Sequence, residues 1–256
     1  MSTASEPLSR DDVRVRYRAT GSFGDDAIRA CEATLSDEER ARGTRFRFFA
    51  DRRDFAAAHG LLRSTLSRYG RLPAGAWRFE SNSYGKPSIV GAESAGLTFN
   101  LSHTRGLVAC VVGRGVDVGI DGEPIDEARP HRDIAARFFS DVERHDLDMC
   151  TPLEFPSRFV ELWTLKEAYI KALGTGLNCP LDRFSFTFEG DAGIRFDSGT
   201  EASHLYWQFA LAAPLPGFRL AVAVRRVPID RRYRIVLHNA DVDTAAPTAW
   251  VRESTG

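Results

Sequence analysis

The sequence predicts an α+β protein made of two similar α/β subdomains, each a small, mostly antiparallel sheet packed on a long helix. Two amphipathic helices carry the prediction, over Asp51 to Tyr69 and about Pro156 to Leu173, each followed by short β-rich runs separated by turn residues. Length agrees, because 256 residues is more than one average domain of about 150 and less than two large ones.

In chain order, Ser36-Asp37-Glu38-Glu39 has the form of a capping box, so a short helix is expected to start there. Phe55, Leu62, Leu66 and Tyr69 then follow helical spacing up to Gly70. Strands are expected at Trp77 to Glu80, Leu97 to Leu101, Leu107 to Val112 and Val116 to Glu123. In the second half Phe138-Phe139-Ser140-Asp141 echoes Phe48-Phe49-Ala50-Asp51. The second long helix follows, then strands at Phe184 to Phe188, Leu205 to Leu211 and Phe218 to Val224. The expected division is residues 1–115, residues 116–240 and a loosely held tail at 241–256.

Composition narrows the function classes. A net charge of -1 and no basic tail argue against wholesale nucleic-acid or anionic-membrane binding, and no apolar run approaches the roughly 18 residues of a membrane span. The N-terminus lacks the basic and apolar regions of a secretory signal, so a cytoplasmic address is expected. Cys31, Cys110, Cys150 and Cys179 form no metal or disulfide spacing and read as small hydrophobes. Among 34 basic residues only Lys86, Lys166 and Lys171 are lysines, which directs attention to positions where a compact ammonium replaces a guanidinium.

Four segments hold candidate chemistry. In Val118-Gly119-Ile120-Asp121-Gly122-Glu123, strand alternation puts Asp121 and Glu123 on one face, where they suit a hard divalent cation; alone the pattern also reads as a solvated strand end. On the second helix Lys166 falls inside the apolar arc, while Glu167 and Lys171 lie one turn apart, a spacing that is also an ordinary surface pair. Asn100-Leu101-Ser102-His103 ends a strand. Its adjacent Ser and His face opposite ways, which argues against a hydrolase triad and favours phosphate binding or a capping turn. Tyr84-Gly85-Lys86-Pro87 reads as a turn presenting a lysine. No nucleotide-binding glycine loop or zinc-protease motif is present.

In this order the segments Gly85-Lys86-Pro87, Asn100-Leu101-Ser102-His103, Gly119-Ile120-Asp121-Gly122-Glu123 and Trp163 through Lys171 resemble the 4'-phosphopantetheinyl transferases of the larger, two-lobed type, which activate carrier proteins of peptide and polyketide synthases. The similarity spans about residues 36 to 225 and implies two lobes in a pseudo-two-fold relation. It implies transfer of the phosphopantetheine arm of coenzyme A to a serine of an acyl or peptidyl carrier protein, by a magnesium-dependent monomer that releases adenosine 3',5'-bisphosphate. The resemblance would make Asp121, Glu123 and Glu167 the magnesium ligands, with Glu167, Lys171 and Asp121 catalytic. It would put Arg42, Arg52, Lys86, Ser102, His103 and Lys171 on the coenzyme, and it matches Glu143 to a secondary acidic position. One departure stands out: Gly122 separates the strand carboxylates where the family has a larger residue, and it is expected to loosen them. A non-catalytic binder of coenzyme A or a carrier protein is the main alternative. A metal-dependent phosphohydrolase ranks last, since no element evidently positions a water.

Overall fold

The structure is a computed structural model that describes residues 7–91, 94–126, 128, 131–190, 193–200, 203–242 and 246–254. Its first half runs β1 (Asp12–Ala19), α1 (Asp25–Thr34), α2 (Asp37–Gly43), α3 (Phe49–Tyr69), β2 (Phe79–Ser81), β3 (Pro87–Ile89), β4 (Leu97–Thr104) and β5 (Leu107–Arg114). The same order then repeats as β6 (Val118–Pro124), α4 (His131–Phe138), α5 (Asp141–Asp148), α6 (Phe155–Leu173), β7 (Ser185–Glu189), β8 (Gly193–Asp197), β9 (Trp207–Ala212) and β10 (Phe218–Arg225). Two further strands, β11 (Arg234–Asn239) and β12 (Arg252–Ser254), follow.

The repeat extends to side chains. Ser36 and Ser140 each cap a helix through a complete capping box, with Glu39 and Glu143 reaching back to the cap amide. Each glutamate also holds a buried cation of the following long helix: Arg63 of α3 at 2.6 Å and Lys166 of α6 at 2.7 Å. Arg63 donates to the carbonyls of Ala74 and Trp77, and Lys166 to those of Leu181 and Phe184. The Phe-Phe echo is therefore not the equivalence it suggested. Phe48 and Phe49, at the start of α3, are 58% and 71% exposed, whereas Phe139 is fully buried against Phe159, and Ser140 corresponds to Ser36.

Alternation stacks the layers. On β5, Val108, Cys110 and Val112 join the core under α3, while Leu107, Ala109 and Val111 face the other sheet. On β10, Ala221 and Ala223 face α6, while Leu220, Val222 and Val224 meet those β5 residues. The order through the molecule is thus α3, the sheet β11-β1-β5-β4, the sheet β6-β10-β9-β12-β8-β7, and α6. Pairing within both sheets is mostly antiparallel.

The expected division needs two corrections. β11, assigned from sequence to the second unit, pairs in parallel with β1, and Arg234 grips Asp12 through two hydrogen bonds of 2.8 and 3.0 Å. The strand supplies a ladder that β1 would otherwise lack on that side. The described part of the tail is held, because β12 pairs with β9 and β8, and Trp250 Nε1 donates to the Ile235 carbonyl. Predicted strand ends shift by a few residues; Leu205 and Tyr206, for example, lie in a 3-10 turn before β9.

Candidate active site

The site lies where β6, an edge of the six-stranded sheet, meets the end of β4 and the face of α6. Gly119 makes the approach possible. A Cβ there would stand 2.0 Å from the Ala168 carbonyl oxygen and 2.4 Å from the Ala172 nitrogen, so α6 crosses β6 backbone to backbone at this point. Two residues on, along the same strand face, Asp121 meets Lys171, whose Nζ lies 2.5 Å from Asp121 Oδ1.

Two β4 side chains fasten this strand. Asn100 Oδ1 accepts from the Ile120 N–H at 3.1 Å, and Ser102 Oγ accepts from the Gly122 N–H at 3.1 Å while donating to Asp121 Oδ1 at 3.2 Å. Gly122 is therefore firmly held, opposite Leu220 in the β10 ladder and between leucines that a Cβ would touch at 3.0 Å. The expected loosening does not occur; the ladder and the Ser102 bond fix the backbone that glycine would otherwise free.

Electrostatics at the site are crowded. Burial, the Asp121 charge and the Glu123 charge push the Glu167 carboxyl up to about 7 against the pull of Lys171. Burial by itself would lower the Lys171 ammonium, but Asp121, Glu167 and Glu123 more than reverse it and raise its pKa. Asp121 is 4% exposed, and its Oδ2 is buried with no hydrogen-bond partner among the described residues. An orphaned carboxylate oxygen beside two further carboxylates is donor chemistry that suits a hard divalent cation. Among the described residues, however, no three His, Cys, Asp or Glu side chains are gathered closely enough to hold a metal ion. The three acids share one field without sharing one point, and the Lys171 ammonium neutralises Asp121.

A cationic group adjoins them. His103 reaches solvent at the end of β4, yet the packing around its ring and the charges of His59, Lys171 and Arg42 hold its pKa below the ordinary value. Arg42, His103 and Lys171 are thereby brought together, and the Arg42 guanidinium lies 5.8 Å from the Phe55 ring centroid. His59, which hydrogen-bonds Glu39 at 2.8 Å, was not read from the sequence; its place two turns along α3 from Asp51, with no motif around it, carried no signal.

Three expected coenzyme contacts are otherwise engaged. Lys86 Nζ donates to the Ala172 carbonyl at 2.6 Å, and Asn82 Nδ2 to that of Gly174 at 3.0 Å, so the β2–β3 turn caps the C-terminus of α6. Ser102 is buried, with its hydroxyl committed within the protein. Arg52 Nε donates to the Phe46 carbonyl at 3.0 Å. Lys166 lies outside the site altogether, fully buried against Glu143.

Residues 117–223 match the model described as the 4'-phosphopantetheinyl transferase superfamily, and residues 25–114 match that of the 4'-phosphopantetheinyl transferase N-terminal region. The chain is 33% identical to the 4'-phosphopantetheinyl transferase Sfp of Bacillus subtilis over 189 residues, 73% of this chain and 81% of Sfp. It is 42% identical over 148 residues to the 4'-phosphopantetheinyl transferase HetI of Nostoc, 57% of this chain and 62% of HetI. A phosphopantetheinyl transferase of Thraustochytrium is 29% identical over 92% of this chain and 82% of its own length.

Proposed function

The chain belongs to the 4'-phosphopantetheinyl transferase superfamily, and on that premise we propose that it transfers the 4'-phosphopantetheine arm of coenzyme A to a serine of an acyl or peptidyl carrier protein. The observation that carries the reading is the crowded group of Asp121, Glu123 and Glu167 around Lys171, next to Arg42 and the His103 imidazole.

In this reading the serine oxygen bonds to the phosphorus that bears the pantetheine arm, and the bond from that phosphorus to the oxygen of the nucleotide half breaks. Glu167 takes the serine proton, the role the resemblance gives it, from its place one turn before Lys171 on α6. Lys171, held in place by Asp121, offsets the charge that grows on the departing phosphate of adenosine 3',5'-bisphosphate. Arg42 and His103 orient the coenzyme's phosphates. By the resemblance Asp121, Glu123 and Glu167 would hold magnesium, whose charge would offset that of the phosphates; they do not converge on one point as described, so holding the ion would require their side chains to move. Lys86 and Ser102 serve by positioning, one fixing the end of α6 and the other fixing Asp121. We further infer a cytoplasmic monomer: the four free thiols support the address, and the resemblance implies the monomer.

Mass spectrometry of an apo carrier protein incubated with enzyme, coenzyme A and magnesium tests the proposal. Wild type should add one phosphopantetheine group, and Glu167→Gln should slow the addition by about 10²- to 10⁴-fold with the fold retained. An unmodified carrier would leave the protein a binder of coenzyme A or of carrier domains, and undiminished transfer by Glu167→Gln would remove its assigned role.

A further inference from the structure

Among the described residues Asp121, Glu123 and Glu167 act together on Lys171 without converging on one point, so a divalent cation can sit among them only if part of the group moves. The Asp121 backbone is not that part. It lies in the β10 ladder opposite Ala221, and the amides on either side of it are taken by Asn100 and Ser102. Its side chain is 6% exposed, and Oδ1 accepts from both the Ser102 hydroxyl and the Lys171 ammonium. Lys171, on the last turn of α6, has a side chain 30% exposed and a single acceptor among the described residues, Asp121 itself. Lys166, by contrast, is buried on Glu143 and two carbonyls. A flexible stem therefore lets the Lys171 charge leave the carboxylate while both backbones stay in place.

The ammonium and a divalent cation are rivals for that carboxylate. Lys171 Nζ stands 2.5 Å from Oδ1, and Oδ2, the oxygen left for a metal, is buried with no hydrogen-bond partner among the described residues. Cations on the two oxygens of one buried carboxylate repel each other with little water between them to screen the charge. Loss of the Lys171 proton does not relieve this, because Asp121, Glu167 and Glu123 hold that proton more tightly than an ordinary lysine holds its own. Relief requires the ammonium to move.

We propose that the Lys171–Asp121 pair is a displaceable latch: the ammonium and a divalent cation exclude each other from Asp121, and the metal enters as Lys171 turns away toward the coenzyme's phosphates. The proposal rests on the reading of the three acids as metal ligands and not on the transfer step. Manganese titration of the full-length protein, without coenzyme or carrier and with free ion counted by electron paramagnetic resonance, tests it. Lys171→Met should bind manganese about tenfold more tightly than wild type, one decade of affinity. Lys171→Arg, whose guanidinium can still pair with Asp121, should stay near wild type. A second measurement needs no variant to fold, because the chain has only three lysines and ¹³C-lysine labelling gives one set of side-chain signals for each. Saturating magnesium should move one set toward the position of a solvated lysine and leave the other two, from Lys86 and Lys166, in place. Equal manganese affinity in wild type and Lys171→Met, equal tightening in Lys171→Arg, or three lysine signals unmoved by magnesium overturns the proposal. Since neither measurement involves transfer, a protein that leaves carriers unmodified would fail the transferase reading and still give an answer here.

Discussion

Lys166 carries its charge into a fully buried place, where Glu143 and the carbonyls of Leu181 and Phe184 all accept from it and the Phe184 ring centroid lies 4.3 Å from Nζ. Removing one partner of such a pair leaves the other as an uncompensated buried charge. Lys166→Met should therefore lower unfolding free energy by about 3–5 kcal/mol in urea titrations, and a loss below about 1 kcal/mol would contradict the account. Burial pushes the Glu39 carboxyl up, but His59, the Ser36 amide and Arg63 more than reverse this and bring it to about 2. With the folded value below the unfolded one, the stabilisation is complete above about pH 4.5, amounts to about 3 kcal/mol, and is lost as pH falls toward 2. The stability gap between wild type and Glu39→Gln should accordingly narrow as the solution is acidified; a gap independent of pH would show the pair to be electrostatically idle. Lysine scarcity pointed to three positions that each hold a specific acceptor, yet Arg63 does with a guanidinium what Lys166 does with an ammonium. Residue type flagged the positions, and only packing separated Lys171 at the candidate site from Lys166 in the core.

At the level of elements, the site depends on how closely α6 approaches β6. Gly119→Ala would press a methyl group into the α6 backbone, an obstacle no side-chain rotation relieves. The expected result is destabilisation of about 1–3 kcal/mol together with loss of transfer, because a displaced helix carries Glu167 and Lys171 away from Asp121. A variant that unfolds like wild type and transfers at full rate would show the crossing to be unimportant. Asn100 and Ser102 work across the gap between sheets by taking the outward amides of β6, so two side chains of the first half set the backbone of the second. The strand and helix bearing the acids were readable because their spacing obeys local periods of two and 3.6 residues. The β4 contacts were not, since they join residues about 20 positions apart through a pairing of edges that no local period encodes.

For the whole molecule, closure comes late in the chain. β11 returns to the first sheet and β12 enters the second, so the last residues tie both halves together. A chain ending at Tyr233 should lose the parallel ladder on β1 and the Arg234–Asp12 pair, and it should melt well below the full chain in calorimetry; equal melting would make the tail dispensable. The N-terminal strand was missed although Val13, Arg14, Val15, Arg16 and Tyr17 alternate plainly; it holds the middle of the first sheet between β11 and β5. By itself the sequence determined the two-part α+β plan, the family, and the acids and lysines of the candidate site, because each rests on short-range periodicity or on residue types in fixed order. Tertiary structure decided which cations turn inward, that Gly122 is held rather than loose, and that β11 and β12 complete the two sheets. Those outcomes depend on contacts between distant segments, where burial and the strength of a charge pair follow from the packing of the whole chain.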